Sequence, residues 1–159
     1  EYYQMINGKT AALIACACEL GALLAGASEK QQLLLADFGR SLGLAFQVQD
    51  DWLGIWGDEA VTGKSTSMDL ITRKKTIPIL FGLEQSKEFA KRWQMGFDPS
   101  DVGHLADLLK EEGAQTYTEA EAQRLTEKAL DALDKAFDDE NQMTHNLKEL
   151  AEKLTTRSN

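Results

Sequence analysis

The stretch SEKQQLLLADFGRSLGLAFQVQDDWLGIWG, Ser28 to Gly57, decides the fold class. Its apolar residues recur at helical spacing with no proline among them, so it predicts one long, mostly buried helix. Ser28 is placed to cap that helix, with Gln31 in the capping-box position. Successive helix positions turn by about 100°, so Gly43, Gln47, Asp50 and Gly54 form one stripe with Asp51 at its edge. Leu42, Leu44, Phe46, Val48 and Leu53 flank the stripe. A carboxylate buried there without a partner is costly, and two adjacent ones repel unless a cation neutralises them. Two readings stay open on this stretch alone. In one, carboxylate oxygens hold a hard cation such as Mg²⁺ that is shared with substrate phosphate. In the other, the pair lies at an exposed helix edge and bridges to Arg40 or Lys30.

The rest of the chain is predicted to be helical as well. It has only two prolines, abundant Ala and Leu, and no segment that requires a strand. A first helix is expected from about Tyr2 to Gly26, with Ala11, Ala12, Ala15, Ala17, Gly21 and Ala22 permitting close helix packing. Asp58 to Arg73 is expected to be a loop, because Gly63 and several Ser and Thr residues break the pattern. KTIPILFGLEQ resumes a helix with Pro78 in its first turn, and SKEFAKRWQMG gives a short one closed by Gly96. DPSDVGHLADLLKEEG starts near Asp98-Pro99 and stops at Gly113. Two more helices follow, about Gln115 to Phe137 and about Asn141 to Arg157. With no repeat and no low-complexity linker, no internal domain boundary is expected.

At 159 residues and 43% hydrophobic content, the chain is of single-domain size and can bury a core. A net charge of -9 and a pI near 4.7, with no clustered basic face, exclude a nucleic-acid surface. An anionic ligand must therefore be met by a few placed cations or by metal. Cys16 and Cys18 point to different sides of a helix, so no mutual disulfide is expected; they read as small buried residues in a reducing, cytoplasmic setting. No signal pattern opens the chain and no apolar run reaches about 18 residues, so no membrane span is expected. The opening EYYQMINGKTAAL has no initiator methionine and begins in mid-pattern, and a fragment of a longer enzyme is expected.

Lysines supply the placed cations. Lys9 sits in the small-residue run INGKTAA, Lys64 follows a glycine in TGKS, and Lys74 and Lys75 close the same loop before TIP. Each alone reads more readily as a solvated lysine. With Gln47, Asp50 and Asp51 they form a set of phosphate-binding and metal-binding types. GDEAVTGKS is not a P-loop: five residues, not four, separate Gly57 from Gly63, and a helix precedes it. His104 and His145 have no partner at zinc-ligand spacing, and DDEN at Asp138 to Asn141 reads as a polar turn. Trp52, Trp56 and Trp93 read as core or interface residues, and no nucleophilic triad is visible.

In this order the pieces resemble the C-terminal half of the trans-isoprenyl diphosphate synthases, the polyprenyl synthetase family. GKTA around Lys9-Thr10, FGRSLGLAFQVQDD with an aspartate-rich motif at Asp50-Asp51, the spaced set Gly57, Asp58, Gly63, Lys64 and Asp69, and Lys74, Thr76 and Pro78 carry the likeness. It is close over roughly residues 1 to 85 and generic beyond. The resemblance implies an all-α bundle of long helices around a deep apolar cavity, the isoprenoid synthase fold. It implies Mg²⁺-assisted ionisation of an allylic diphosphate, attack by isopentenyl diphosphate on the cation, and loss of a proton to the departing diphosphate. Asp50, supported by Asp51, is implied as metal ligand. Lys9 and Lys64, with Thr10 and Gln47, are implied as diphosphate ligands, and Lys74 is implied as a further diphosphate ligand near the rim of the site. A homodimer in the cytoplasm is the usual form.

Two departures stand out. The family's motif usually reads Asp-Asp-x-x-Asp, and here its last position is Gly54, which removes one carboxylate from the metal face. The first aspartate-rich motif and the isopentenyl diphosphate site belong to an N-terminal half that this chain does not contain, so it is expected to be part of one polyprenyl synthetase domain. The alternative is a non-catalytic subunit of a heteromeric prenyl diphosphate synthase, an alternative that Gly54 leaves open.

Overall fold

The computed structural model describes residues 1–57, 67–85, 88–137 and 142–155, and these are helical almost throughout, with no strand among them. Helix α1 (Tyr2–Ile6) passes through a π-helical turn (Asn7–Ala11) into α2 (Ala12–Leu24). Helix α3 (Glu29–Trp56) is the long one, as its spacing predicts. Its start is a reciprocal box: the Ser28 N–H donates to Gln31 Oε1 at 3.1 Å, and the Gln31 N–H donates to Ser28 Oγ at 3.4 Å. There follow α4 (Met68–Ile71), α5 (Ile77–Gln85), α6 (Glu88–Met95), a 3₁₀ turn (Pro99–Asp101) leading into α7 (Val102–Glu111), α8 (Ala114–Ala136) and α9 (Gln142–Thr155). Gly96 and Gly113 follow α6 and α7 with φ of +87° and +92°, a left-handed backbone that favours glycine, which is why those helices end there.

The chain forms two compact units. The first holds Glu1–Gln47 and returns at Glu121; the second holds Val48–Ala120. In the first unit α2 and α3 approach closely through glycine. A Cβ on Gly43 would lie 2.6 Å from Ala11 Cα, and one on Gly39 would lie 2.8 Å from the Ile14 carbonyl oxygen. Ala11, Ala15 and Ala22 are buried, as the small-residue reading expects, whereas Ala17 and Gly21 of the same set are exposed. Phe38, Leu42, Ala129, Leu133 and Ala151 form the core of this unit, with Leu35, Leu147 and Leu154 packed against it. Beside it Glu121 accepts from Arg124 at 2.7 and 2.8 Å and from the Tyr3 hydroxyl. The Arg124 hydrogen bonds hold the Glu121 carboxyl below the usual carboxylate range, with Tyr3 assisting and burial opposing.

The core of the second unit joins Ile55, Leu70, Ile79, Phe89, Leu105 and Leu109, with Trp56 and Trp93 packed against it. Trp56 and Trp93 therefore take the core role read from the sequence. Trp56 also donates to the Ala106 carbonyl at 3.4 Å, and Trp52 to Glu119 at 3.0 Å.

Four features differ from the sequence reading. A π turn interrupts the first helix at the residues NGKTA, where composition predicts an unbroken α-helix. The segment read as a loop to Arg73 contains α4, one helical turn made by Met68, Asp69, Leu70 and Ile71. Cys16 is exposed and Cys18 half-buried, where both were expected buried; partial burial pushes the Cys18 thiol up. Tyr2–Leu24 is by length and composition long and apolar enough to cross a membrane, although little of it is buried. Lys9 and Glu19 break the strict apolar run without lowering the average enough to exclude it. Leu13, Leu20, Leu23 and Leu24 of α2 are exposed.

Two outcomes follow for stability. Gly43→Ala forces Cβ onto the Ala11 backbone and is expected to cost about 1–3 kcal/mol in urea unfolding. Glu121 has a depressed folded pKa, so its contribution is present above the ordinary glutamate value of about 4.3 and is lost as pH falls through the folded value. Glu121→Gln should therefore unfold more easily than wild type at pH 7, with the gap closing in acid when both are followed by thermal denaturation.

Candidate functional site

In the first unit the π turn carries Lys9 and Thr10. Lys9 is exposed on it, so the turn presents this lysine to solvent rather than burying it among the alanines. The Thr10 hydroxyl donates to Gln47 Oε1 at 3.2 Å, joining two candidates 37 residues apart in the chain. Gln47 is buried on α3. One turn before Thr10, Asn7 accepts from the Arg40 guanidinium at 2.9 Å. Arg40 is thus engaged by an amide and not by the acidic pair. A π turn shifts the side chains that follow it around the helix axis, and such turns recur at functional sites.

In the second unit the two aspartates of α3 separate in environment. Asp50 is half-buried, whereas Asp51 is 2% exposed. The Asp51 Oδ2 accepts from the Ile77 N–H at 3.2 Å, at the first residue of α5. A helix N-terminus leaves its first N–H groups without intrahelical partners and favours negative charge, so Asp51 answers both needs. Lys74 Nζ lies 3.9 Å from Asp51 Oδ1, and donates to Asp69 at 3.2 Å to Oδ2 and 3.4 Å to Oδ1. Asp69 is itself buried, on α4. Between Lys74 and α5, Thr76 is buried, and its hydroxyl has no hydrogen-bond partner among the described residues.

Lys64, with Gly63 and Asp58, lies outside the described residues, as does the DDEN turn. Lys9, Thr10 and Gln47 fall in the first unit; Asp50, Asp51 and Lys74 fall in the second. Sequence reasoning placed Asp69 in a spaced pattern but gave it no role, and it missed the Ile77 N–H as the partner of Asp51. A signal for the second was present: Asp51 is acidic and Ile77 opens a helix whose second residue is proline.

The oxygen donors here suit a hard cation. Among the described residues no three His, Cys, Asp or Glu side chains gather into a cage. Such a donor set fits Mg²⁺, which takes one or two carboxylates and completes its shell with waters and phosphate oxygens. Of the pair, Asp50 is the more exposed to solvent, and Asp51 faces Ile77 and Lys74.

Asp51→Ala leaves the buried Ile77 N–H without its acceptor and is expected to cost about 1–3 kcal/mol in chemical denaturation. Asp50→Ala should cost less, because a half-buried position loses less burial.

Comparison with known proteins places this geometry in a family. The chain is 41% identical over 139 residues to the geranylgeranyl diphosphate synthase of Mycobacterium tuberculosis, a match covering 84% of this chain and 40% of that protein. The decaprenyl diphosphate synthase of Rhodobacter capsulatus superimposes with a TM-score of 0.86 at 34% identity, over 99% of this chain and 50% of that one. The geranylgeranyl pyrophosphate synthase of Corynebacterium glutamicum, solved with isoprenyl diphosphate and magnesium, gives 0.82 at 32% identity over 98% of this chain and 47% of that one. The chain thus spans half or less of each of these relatives. The family model for polyprenyl synthetase matches residues 1–112. With its all-α fold and its aspartate-rich α3, the chain belongs to the polyprenyl synthetase family.

Proposed function

We propose that the intact protein is a prenyltransferase that condenses isopentenyl diphosphate with an allylic diphosphate to give a linear trans-polyprenyl diphosphate. In this reading residues 1–159 form the C-terminal part of a single polyprenyl synthetase domain. The observation that carries the reading is the acidic end of α3: a half-buried Asp50 beside an Asp51 that is already satisfied within the protein. A half-buried carboxylate is partly open to solvent, the side from which a cation that comes with the substrate arrives. The names of the relatives support the same chemistry, and the magnesium and isoprenyl diphosphate of the Corynebacterium structure support the cofactor and the ligand class. The exposed leucines of α2 support the partial domain, as an apolar face that the remainder of a longer chain covers.

Each residue then has a role. Asp50 would hold Mg²⁺, with Asp51 supporting it directly or through water. Lys9 and Lys64 hold the allylic diphosphate, Thr10 and Gln47 add hydrogen bonds, and Lys74 adds positive charge at the rim. When bound, Mg²⁺ supplies Lewis-acid stabilisation of the charge that builds on the departing diphosphate. The lysines oppose the same charge. No side chain is assigned as general base, since the departing diphosphate can accept the proton. A homodimer in the cytoplasm belongs to the same proposal.

The test is incubation of the full-length protein with labelled isopentenyl diphosphate, a series of allylic diphosphates and Mg²⁺. Chain elongation is expected with at least one primer, and Asp50→Ala should lower kcat/KM by about 100-fold, or about 2.7 kcal/mol. Absence of elongation with every primer would overturn the reading.

A further inference from the structure

Gly54 is where the chain leaves the motif of its family, and the structure shows what stands there instead. A Cβ built on Gly54 would lie 2.3 Å from Asp69 Oδ2 and 2.7 Å from Asp69 Cγ. The space that a side chain at position 54 would take is therefore filled by a carboxylate from another segment. That carboxylate is not loose. It faces Lys74 Nζ at 3.2 and 3.4 Å, and Asp51 Oδ1 lies 3.9 Å from the same ammonium.

The turn that carries Asp69 is fixed at both ends. Ser67 precedes it with φ of 61°, is buried, and donates its hydroxyl to the Ile55 carbonyl at 3.0 Å. Arg73 follows with φ of 54°, donates to the Trp93 carbonyl at 3.1 Å, and lies 5.4 and 5.0 Å from the Trp93 and Phe97 ring centroids. Left-handed backbone at two non-glycine residues persists only where the surroundings over-determine it, and strain of that kind gathers at functional sites.

We propose that Asp69 is a positioning residue for Lys74, and that in this chain a side chain at position 54 would disturb it, because Asp69 occupies the space beside Gly54. The proposal rests on the reading of Lys74 as a diphosphate ligand. A lysine stem has many rotamers, and an ammonium held between Asp69 and Asp51 surrenders that freedom before the ligand arrives. Diphosphate then meets a cation already in place. Coulomb's law alone makes the opposite forecast: a carboxylate near an anion site repels the anion, so its removal should tighten binding. The sign of the effect separates the two.

The experiment uses the full-length protein and inorganic diphosphate, with dissociation constants from titration calorimetry in EDTA and again with Mg²⁺. Lys74→Met is expected to weaken binding about tenfold, and Asp69→Asn, which keeps the side-chain shape, about three- to tenfold under both conditions. In the Lys74→Met background, Asp69→Asn should add nothing, because it acts through the lysine. Gly54→Ala should match Asp69→Asn; if it does not fold, Asp69→Asn carries the test. Tighter or unchanged binding by Asp69→Asn overturns the proposal, and so does an effect that adds to that of Lys74→Met. A loss seen only with Mg²⁺ also overturns it, since that marks a metal-linked role. If wild type fails to bind diphosphate, or Lys74→Met binds normally, the reading of Lys74 itself falls and this proposal with it.

Discussion

The buried carboxylate of Asp51 is the constraint on which the second unit depends. A charge 2% exposed must find partners within the protein, and it finds the Ile77 N–H and the nearby ammonium of Lys74. Satisfying Asp51 fixes where α5 begins and where Lys74 lies relative to the end of α3. It also divides the acidic pair: neighbouring aspartates in sequence become one buried group and one half-buried group. Two equal carboxylates would repel, and the separation of their surroundings is what makes the pair tolerable.

The first unit rests on a different device, the removal of side chains. Gly39 and Gly43 let α3 approach the backbone of Ile14 and Ala11 closely, and the same approach permits Thr10 to reach Gln47. The π turn lies at that contact, and it leaves Lys9 exposed while Ala11 is fully buried. Packing and presentation are thus decided together over five residues of chain.

Much of this was legible in the sequence because it depends on period and punctuation. The Ser28 box, Pro78 in the first turn of α5 and the glycines after α6 and α7 are local signals, and each helix forms where its signal stands. The family could be read because its residues keep their order and spacing. What could not be read is what depends on atoms far apart in the chain. The π turn has no composition of its own, since NGKTA suits an α-helix equally well. The helical turn at Asp69 is specified by a carbonyl at Ile55 and rings at Trp93 and Phe97, and no local pattern announces them. Burial misled in the same way: Cys16 lies in an alanine-rich run that looks internal from composition, yet it is exposed.

Gly54 shows how the two kinds of information combine. From sequence it is a loss, one carboxylate fewer on the acidic face. In the structure the position is crowded, because the Asp69 carboxylate stands within 2.3 Å of where a Cβ would be. Restoring a longer residue there would not simply add a ligand; it would first have to displace a buried carboxylate that is paired with Lys74. A motif letter therefore cannot be scored on its own chemistry alone. Its meaning depends on the group that shares its space, and here that group is Asp69, itself one of the positions that carry the family likeness.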